Sequence, residues 1–443
     1  MVRAEHSLRS DVTDSETAAH WPVRGRVSKT AVAQPARLDR LSLLRPVYVS
    51  LINTGRAYAA FDAAQLRESV TDLADRGEIL DPMSGYGRLM EFGAKEGVPT
   101  YSLEYVAPLH LWQRLVHPCT SALLGAVVEE LLSVEDEWPR ASAQAEAWDG
   151  WLPTASESLI LRLLALCARA IETLSPGQVD TTDLAVATLL PFLGRLMTWV
   201  PGEGTRVTKG GICVYRNWEG DLRQYLLALL CRLEHVMCGA KPSKHNVVLS
   251  DCRSYSFEAN RFGAMITSPP YPNHQSFTSM FAPEIHLLRW LGAKGLLTLP
   301  VTERPAIGGI GVKGRAPTVV RSKVARRFLK NLLEWKGNKK AMRANRTYYC
   351  RYFEAYFGDL ERAFENISAS LRHDFAGHIV VVDNTSRNQI VPLSDFVVET
   401  WRRLGFQAEA HMLREKFHVG TKNPSARGLK AKHAEYLVTV ARR

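Results

Sequence analysis

Hydrophobic residues recur at two different periods along this chain, and the changes from one period to the other predict an α/β fold. Residues 63–76 place Leu66, Val70 and Leu73 at helical spacing, and Gly77 follows as a helix-ending residue. The elements expected next are a short strand, a Gly-rich turn, a helix and a second strand, at 78–80, 81–87, 88–95 and 99–103. Two strands joined by a helix predict a parallel sheet, because parallel neighbours need a crossover connection.

The middle of the chain shows only the helical period. Two long apolar stripes are spaced for helices, at Ile160, Leu164, Cys167, Ile171 and Leu174 and at Leu222, Leu226, Leu229, Leu233 and Val236. Strand patterns return at 246–250, 263–267, 378–383 and 435–441, with helices expected at 284–292, 352–372 and 392–404. The prediction is a doubly wound, Rossmann-like α/β sheet that is interrupted by a helical insertion.

These patterns divide the chain into six predicted segments. They are a flexible N-terminal arm, a first part of the α/β domain, the helical insertion, a second part of the α/β domain, a basic excursion and a C-terminal part of the α/β domain. Their predicted bounds are 1–40, 41–114, 115–240, 241–292, 293–350 and 351–443.

Composition excludes several classes of protein. No apolar run approaches the roughly 18 residues that a membrane span needs, and the first 40 residues lack the apolar core of a signal peptide. The expected location is therefore the cytoplasm. The seven cysteines are scattered and form no CxxC pair, so we expect neither a disulfide framework nor a metal site.

The distribution of charge narrows the choice of partner. The formal net charge is +11, and residues 294–346 alone hold 14 Lys or Arg against two acidic residues. Such a concentration favours a polyanion, because each neutralised phosphate releases condensed counterions. The alternative is a solvated surface loop. The basic residues near helical spacing, which we predict to bind nucleic acid, are Arg321, Lys323, Arg326, Arg327 and Lys330.

A Gly-rich loop between the first predicted strand and its helix suits a nucleoside cofactor. It reads Asp81-Pro82-Met83-Ser84-Gly85-Tyr86-Gly87, and its glycines let the backbone approach a ligand closely. One strand later, Glu104 stands where an acid can accept hydrogen bonds from both ribose hydroxyls. The third glycine of the dinucleotide pattern is missing, which disfavours a dehydrogenase. The alternative is a tight turn followed by a solvated strand-end acid.

A second loop, Thr267-Ser268-Pro269-Pro270-Tyr271, follows the apolar strand at 263–267. An exocyclic amine is a weak nucleophile because its lone pair is delocalised into the ring, so an enzyme must hold the hydrogens of that amine with acceptors. Ser268 and the carbonyl of Pro269 are suitable acceptors, Pro270 stiffens the loop, and Tyr271 offers an aromatic face to an extruded base. The alternative is a proline-rich turn without chemistry.

Three stretches of the chain, 56–108, 246–292 and 352–441, resemble the amino-methylating DNA methyltransferases of the N4-cytosine and N6-adenine group. The segment from Thr267 to Tyr271 is identical to the TSPPY catalytic motif of that family, which leans towards cytosine N4. The loop from Asp81 to Gly87 is similar to its DPFxGSG cofactor loop. The resemblance implies S-adenosylmethionine as cofactor, with further contacts from Tyr58, Phe61, Glu104, Asp251 and Thr267, and DNA with an extruded base as substrate.

The chain departs from the family at Met83, Tyr86 and Arg88, so we expect cofactor contacts to differ there. The helical insertion also lies outside the place where the family carries its target-recognition region. Several functions stay open: an N6-adenine DNA methyltransferase, an RNA or small-molecule amino-methyltransferase, a partner-dependent subunit of a modification, restriction or defence complex, and a binding module without catalysis.

Overall fold

A computed structural model describes most of the chain between Asp62 and Arg442. The described ranges are 62–138, 154–177, 180–196, 218–272, 281–297, 299, 306–309, 318–336, 339–386, 389–418 and 431–442. The predicted N-terminal arm, Tyr58 and Phe61 lie outside these ranges.

A mixed α/β fold is built around a seven-stranded sheet. In chain order the strands are β1 Ile79–Asp81, β2 Thr100–Glu104, β3 His245–Leu249, β4 Phe262–Thr267, β5 Leu371–Asp383, β6 Thr385–Ser386, β7 Gln389–Ile390, β8 Phe406–His418 and β9 Ala431–Arg442. The sheet has the order β3-β2-β1-β4-β5-β9-β8, while β6 and β7 pair separately. Strands β1 to β5 run parallel, and β9 is antiparallel to both β5 and β8.

Both faces of this sheet are covered, as expected for parallel strands. Successive residues of β1 show the alternation, because Ile79 packs with Leu66 and Val70 of the first helix on one face while Leu80 joins the opposite core. From β1 the chain continues to β2 and β3 on one side of the sheet, and from β4 it continues to β5 on the other side. The order of strands therefore reverses between β1 and β4. The arrangement is compatible with a Rossmann-like fold, in which ligands bind at the carboxyl ends of the strands beside this reversal.

The helices of the described ranges agree in position with most of the predicted periodicity. In chain order they are α1 Ala63–Leu73, α2 Arg88–Glu96, α3 Ala107–Leu115, α4 Pro118–Ser133, α5 Thr154–Leu174, α6 Thr181–Leu196, α7 Trp218–Met237, α8 Ala282–Ala293, α9 Lys323–Glu334, α10 Lys339–Ala344, α11 Cys350–Ser368 and α12 Leu393–Arg403. Helices α3 to α7 separate β2 from β3. Their two predicted apolar stripes are buried except at Leu174, which is 43% exposed.

Among these helices, no single one is long and apolar enough to cross a membrane, and the bent pair α3–α4 reaches that length and composition only together, across an angle of 81°.

Two predicted boundaries near the C-terminal strands were wrong. The helix expected at 352–372 ends at Ser368, and β5 already begins at Leu371. The polar run that starts at Arg372 hid the first part of this strand, which was predicted only over 378–383, because the side chains of that run are partly exposed. Strand β8 was not predicted, although Phe406 and Ala408 are buried and alternate with exposed neighbours. Strand β8 is an edge strand, and charged residues typical of such strands resemble a loop in sequence.

Candidate functional site

A cavity at the carboxyl ends of β1, β2 and β4 brings the two predicted loops together. The predicted residues that line it are Asp81, Pro82, Met83, Ser84, Gly85, Glu104, Asp251, Ser268, Pro269, Pro270 and Tyr271. Thr267 and Gly87 are not part of this lining, and both have structural roles behind it. The loops are 180 or more residues apart in sequence, so only the sheet order brings them to one site.

Asp81 and Thr267 join the ends of the two central strands. The Thr267 hydroxyl donates to Asp81 Oδ1 at 2.8 Å, and the same oxygen accepts the backbone N–H of Met83 at 3.3 Å. Burial raises the pKa of Asp81 to about 7, although both hydrogen bonds act in the opposite direction. Thr267 therefore fixes the Gly-rich loop relative to the loop from Thr267 to Tyr271 and does not line the cavity.

A buried glutamine on α3 holds the Gly-rich loop from behind. Gln113 Nε2 donates to the Ser84 hydroxyl at 2.8 Å and to the Gly85 carbonyl at 2.7 Å. Ser84 in turn donates both its backbone N–H and its hydroxyl to the Leu103 carbonyl. Sequence reasoning missed Gln113, and the only available signal was a polar side chain in the second half of the largely apolar helix α3.

The two glycines of the loop both have positive φ angles, but their surroundings differ. Gly87 has φ +75°, and a Cβ placed on it would lie 2.8 Å from Gln113 Cγ. Gly85 has φ +52°, and a Cβ there would meet no atom within 4 Å. Gly87 thus allows the close packing of the loop on Gln113, while Gly85 leaves open space beside the cavity for a ligand to approach the backbone.

Glu104, at the end of β2, is buried in the wall of the cavity. Its Oε1 accepts the backbone N–H of Val106 at 2.7 Å, and its carboxylate also interacts with the N–H groups of Gly85 and Tyr105. Burial, with a smaller contribution from the nearby charge of Asp81, raises the pKa of Glu104 to about 8. A carboxyl group in this setting exchanges its proton near neutral pH, and its charge state is sensitive to whatever binds.

We expect the free energy of unfolding to fall as the pH rises from 6.5 to 8.5. The folded-state pKa values of Asp81 and Glu104, about 7 and about 8, exceed the ordinary values of 3.8 and 4.5, so the folded protein binds more protons than the unfolded chain in this window. For Glu104 alone the loss is about 2 kcal/mol. Urea unfolding at pH 6.5, 7.5 and 8.5 measures this loss of stability, and in Glu104→Gln the loss over the same pH range should be smaller by that amount. An equal change of stability with pH in both proteins would contradict the raised pKa of Glu104.

Asp251 has a cationic partner that the sequence analysis did not anticipate. Arg253 donates to both Asp251 oxygens, with Nη2 to Oδ2 at 2.7 Å, and its Nη1 donates to Asp359 Oδ2 at 2.7 Å. Both Asp251 and Arg253 line the cavity. Asp359 belongs to α11, so this pair of salt bridges joins the cavity wall at Asp251 to the helix that contacts the Ser268–Tyr271 loop through Tyr356.

The loop from Thr267 to Tyr271 is held by tyrosine hydroxyls. The Ser268 and Tyr271 hydroxyls lie 2.9 Å apart, and Tyr271 donates to the Val380 carbonyl at 3.4 Å. Tyr356 of α11 donates to the Pro270 carbonyl at 2.9 Å. The Pro270 carbonyl is thus bound from behind, while Ser268 remains on the cavity side. Sequence reasoning missed Tyr356, whose only signal was its place in the aromatic stripe with Tyr352.

The predicted basic residues lie on the exposed side of α9 or just before it. All five are exposed, while Phe328 on the opposite side packs on Phe353 of α11 with ring centroids 4.9 Å apart. Arg321 pairs with Glu365, and Lys330 lies 3.7 Å from Glu334. The other three, which form no salt bridge with any residue in the described ranges, are Lys323, Arg326 and Arg327.

Asp383 lies at the end of β5 and has a structural partner. Its carboxylate accepts the backbone N–H of Ser394 at 2.8 Å and the Ser394 hydroxyl at 2.9 Å, so it binds the first turn of α12. Asp383 does not line the cavity described above. It is therefore a buried carboxylate near the site whose role is to fix a helix.

Comparison with known proteins assigns no family: no protein-family profile matches the chain, and no curated protein matches it. The functional interpretation depends on the residues of the cavity and on the resemblance of its motifs.

Proposed function

We propose that the chain is an S-adenosylmethionine-dependent methyltransferase that modifies the exocyclic amino group of a base in DNA, with cytosine N4 as the preferred target. One observation carries the proposal. The Gly-rich loop with Glu104 and the segment from Ser268 to Tyr271 line the same cavity, at the reversal of strand order where such sheets bind ligands. A nucleoside-binding half and an amino-binding half therefore share one site.

The first half of the cavity fits a nucleoside with a ribose. Glu104 offers a buried carboxylate that can accept both ribose hydroxyls, and Gly85 leaves its backbone accessible. Asp251 lies on the same wall, where its carboxylate can accept an exocyclic amine of the cofactor. When bound, S-adenosylmethionine supplies a methyl group whose carbon–sulfur bond breaks, with its electron pair left on sulfur, as the target nitrogen bonds to the carbon and then releases a proton to solvent.

The second half fits an amino group held by acceptors. Ser268 Oγ and the Pro269 carbonyl can bind the two hydrogens of the amine, which favours a tetrahedral nitrogen with its lone pair directed to the methyl carbon. Tyr271 also lines the cavity and provides an aromatic surface for the base. Holding both reactants in this way supplies much of the rate of such a reaction.

The exposed side of α9 supports a nucleic acid as substrate. Helix α9 packs on α11, and α11 contacts the Ser268–Tyr271 loop through Tyr356, so the exposed basic side chains lie on the outer side of the second helix from this loop. Neighbouring helices are separated by roughly 8–10 Å. In the proposed complex, Lys323, Arg326, Arg327 and Lys330 contact phosphates several nucleotides from the extruded base. A cytoplasmic location belongs to the same proposal.

Methyl transfer to mixed nucleic acid tests the proposal. The protein is incubated with labelled S-adenosylmethionine and duplex DNA, tRNA or free nucleosides, the products are digested to nucleosides, and the labelled nucleoside is identified. We expect N4-methyldeoxycytidine from DNA and at least about a 100-fold lower rate for Ser268→Ala. N6-methyldeoxyadenosine as the product would identify adenine as the target base. Label in tRNA or in free nucleosides would identify RNA or a small molecule as the substrate.

The same experiment tests the remaining alternatives. Activity that appears only after a co-purified protein is added would assign the chain to a larger modification or defence complex. Measurable binding of the cofactor is required in every case. If no label exceeds the Ser268→Ala background on any substrate, and the cofactor does not bind, the proposal is wrong.

A further inference from the structure

Two hydrogen bonds join three oxygen atoms in series beside the cavity. Ser268 Oγ lies 2.9 Å from Tyr271 Oη, and Tyr271 Oη lies 3.4 Å from the Val380 carbonyl oxygen. A carbonyl oxygen only accepts hydrogen bonds, so the Tyr271–Val380 contact is a hydrogen bond when the single proton of the Tyr271 hydroxyl is directed to Val380. In the one arrangement that satisfies both contacts, the proton between the two hydroxyls comes from Ser268.

This direction decides what Ser268 offers to a ligand. Its one proton is directed to Tyr271, so only the lone pairs of its oxygen remain for the cavity that it lines. On the basis of the proposed function, we infer that the Tyr271 hydroxyl is a specificity-determining group: it holds Ser268 as an obligatory acceptor, which selects a base carrying an amino group over the same base with a carbonyl oxygen there. Tyr271 thus acts through Ser268, in addition to any stacking by its ring.

The surroundings of Tyr271 keep the chain of hydrogen bonds in this direction. The side chain is only 8% exposed, and burial raises the pKa of Tyr271 well above its ordinary value, although the hydrogen bond with Ser268 lowers it; the charge of Glu435 raises it and that of Arg414 lowers it. The hydroxyl therefore keeps its proton at neutral pH. Val380 lies within β5, opposite Leu437 of β9, so the accepting carbonyl is fixed by the sheet.

Removing the Tyr271 hydroxyl alone tests this inference by a double-mutant cycle. Tyr271→Phe keeps the ring but frees the Ser268 proton, and we expect methyl transfer to slow about 10-fold. Ser268→Ala should slow it at least about 100-fold. In the Ser268→Ala background, Tyr271→Phe should change the rate by less than about twofold, because the residue through which it acts is gone.

Tyr356→Phe is the matched control. It removes another tyrosine hydroxyl from the same loop, one whose partner is the Pro270 carbonyl. We expect it to slow methyl transfer about fivefold in the wild-type background and by the same factor in the Ser268→Ala background. If the effects of Tyr271→Phe and Ser268→Ala on the rate multiply independently, the inference is wrong. Methylation by the wild-type protein would in that case still support the proposed function.

A binding measurement separates specificity from a purely structural effect. In the duplex that the wild-type protein methylates, the target base is replaced by its deaminated counterpart, uracil for cytosine or hypoxanthine for adenine. The wild-type protein should prefer the amino base by at least about 10-fold, and Tyr271→Phe should reduce that preference to about twofold, because the freed hydroxyl can donate to the carbonyl. The ratio is compared on the same two duplexes, so differences in base pairing cancel.

The outcomes distinguish the two proposals. An unchanged preference in Tyr271→Phe, with wild-type methylation intact, would overturn the inference alone. Failure of the wild-type protein to methylate any nucleic acid would contradict both. Urea unfolding of Tyr271→Phe checks that the variant is folded at the temperature of the assay.

Discussion

Replacing Glu104 by glutamine is expected to weaken S-adenosylmethionine binding about 100-fold or more, because each hydrogen bond to a charged group contributes about 1.5–3 kcal/mol. The ionised carboxylate can accept both ribose hydroxyls from within the wall of the cavity. Glutamine carries no charge and adds a donor where the Val106 N–H already donates to the side chain at 2.7 Å. Isothermal titration at pH 8.5 measures the change.

The same residue should make binding depend on pH with a defined sign. Hydroxyl donors favour the ionised carboxylate, and burial raises the pKa of Glu104 to about 8 in the protein without ligand. Affinity should therefore rise with pH, by about 25-fold between pH 6.5 and 8.5. Glu104→Gln removes the titrating group and should remove this part of the dependence. Equal pH profiles for both proteins would show that Glu104 does not contact the cofactor.

Asp383→Asn is the control for loss of a buried carboxylate. Asp383 binds the start of α12 through Ser394, and burial raises its pKa to about 6. The variant should lower the free energy of unfolding by about 1–3 kcal/mol while leaving cofactor affinity within about twofold. If both variants lose affinity equally, the loss reflects the folded state as a whole and not a contact of Glu104.

Periodicity and turn chemistry predicted the parts of the fold that depend on neighbouring residues. Strands β1, β2 and β4 are short, buried and followed by loops with special residues, and their positions and the parallel pairing of β1 with β2 were confirmed. Strand β8 was missed because it pairs through its backbone while Glu409 and other charged side chains face outward. A long helical pattern also hid the end of α11 before β5.

The residues that support the cavity could not be found in the same way. Gln113 holds a loop that lies 28 or 29 residues away, and Tyr356 holds a carbonyl 86 residues away. The hydrophobic pattern of the sequence shows which side chains are apolar. It does not show which distant backbone group a polar side chain will contact in the fold. Arg253 is different, since it lies two residues from Asp251, yet only the structure shows that it also pairs with Asp359. The sequence therefore predicted residues that line the cavity, but not the residues that hold them in place.

Gly87→Ala is expected to lower the free energy of unfolding by about 2–4 kcal/mol and cofactor affinity by at least about 10-fold. A left-handed φ of +75° costs a residue with a Cβ about 1–2 kcal/mol. The new methyl group would also lie 2.8 Å from Cγ of Gln113, which is fully buried and cannot move without losing its hydrogen bonds to Ser84 and Gly85. Displacing Gln113 therefore disturbs the backbone that lines the cavity.

Gly177→Ala separates backbone strain from this displacement. Gly177 has nearly the same φ, +78°, but a Cβ there would meet no atom within 4 Å. Gly177→Ala should lower the free energy of unfolding only by the cost of the left-handed φ, about 1–2 kcal/mol, and should leave cofactor affinity unchanged. Urea unfolding and calorimetric titration of both variants give the comparison. The excess destabilisation of Gly87→Ala then measures the packing of Gln113 on the loop. Equal losses of stability with unchanged affinity in both variants would mean that Gln113 does not hold the loop in a binding conformation.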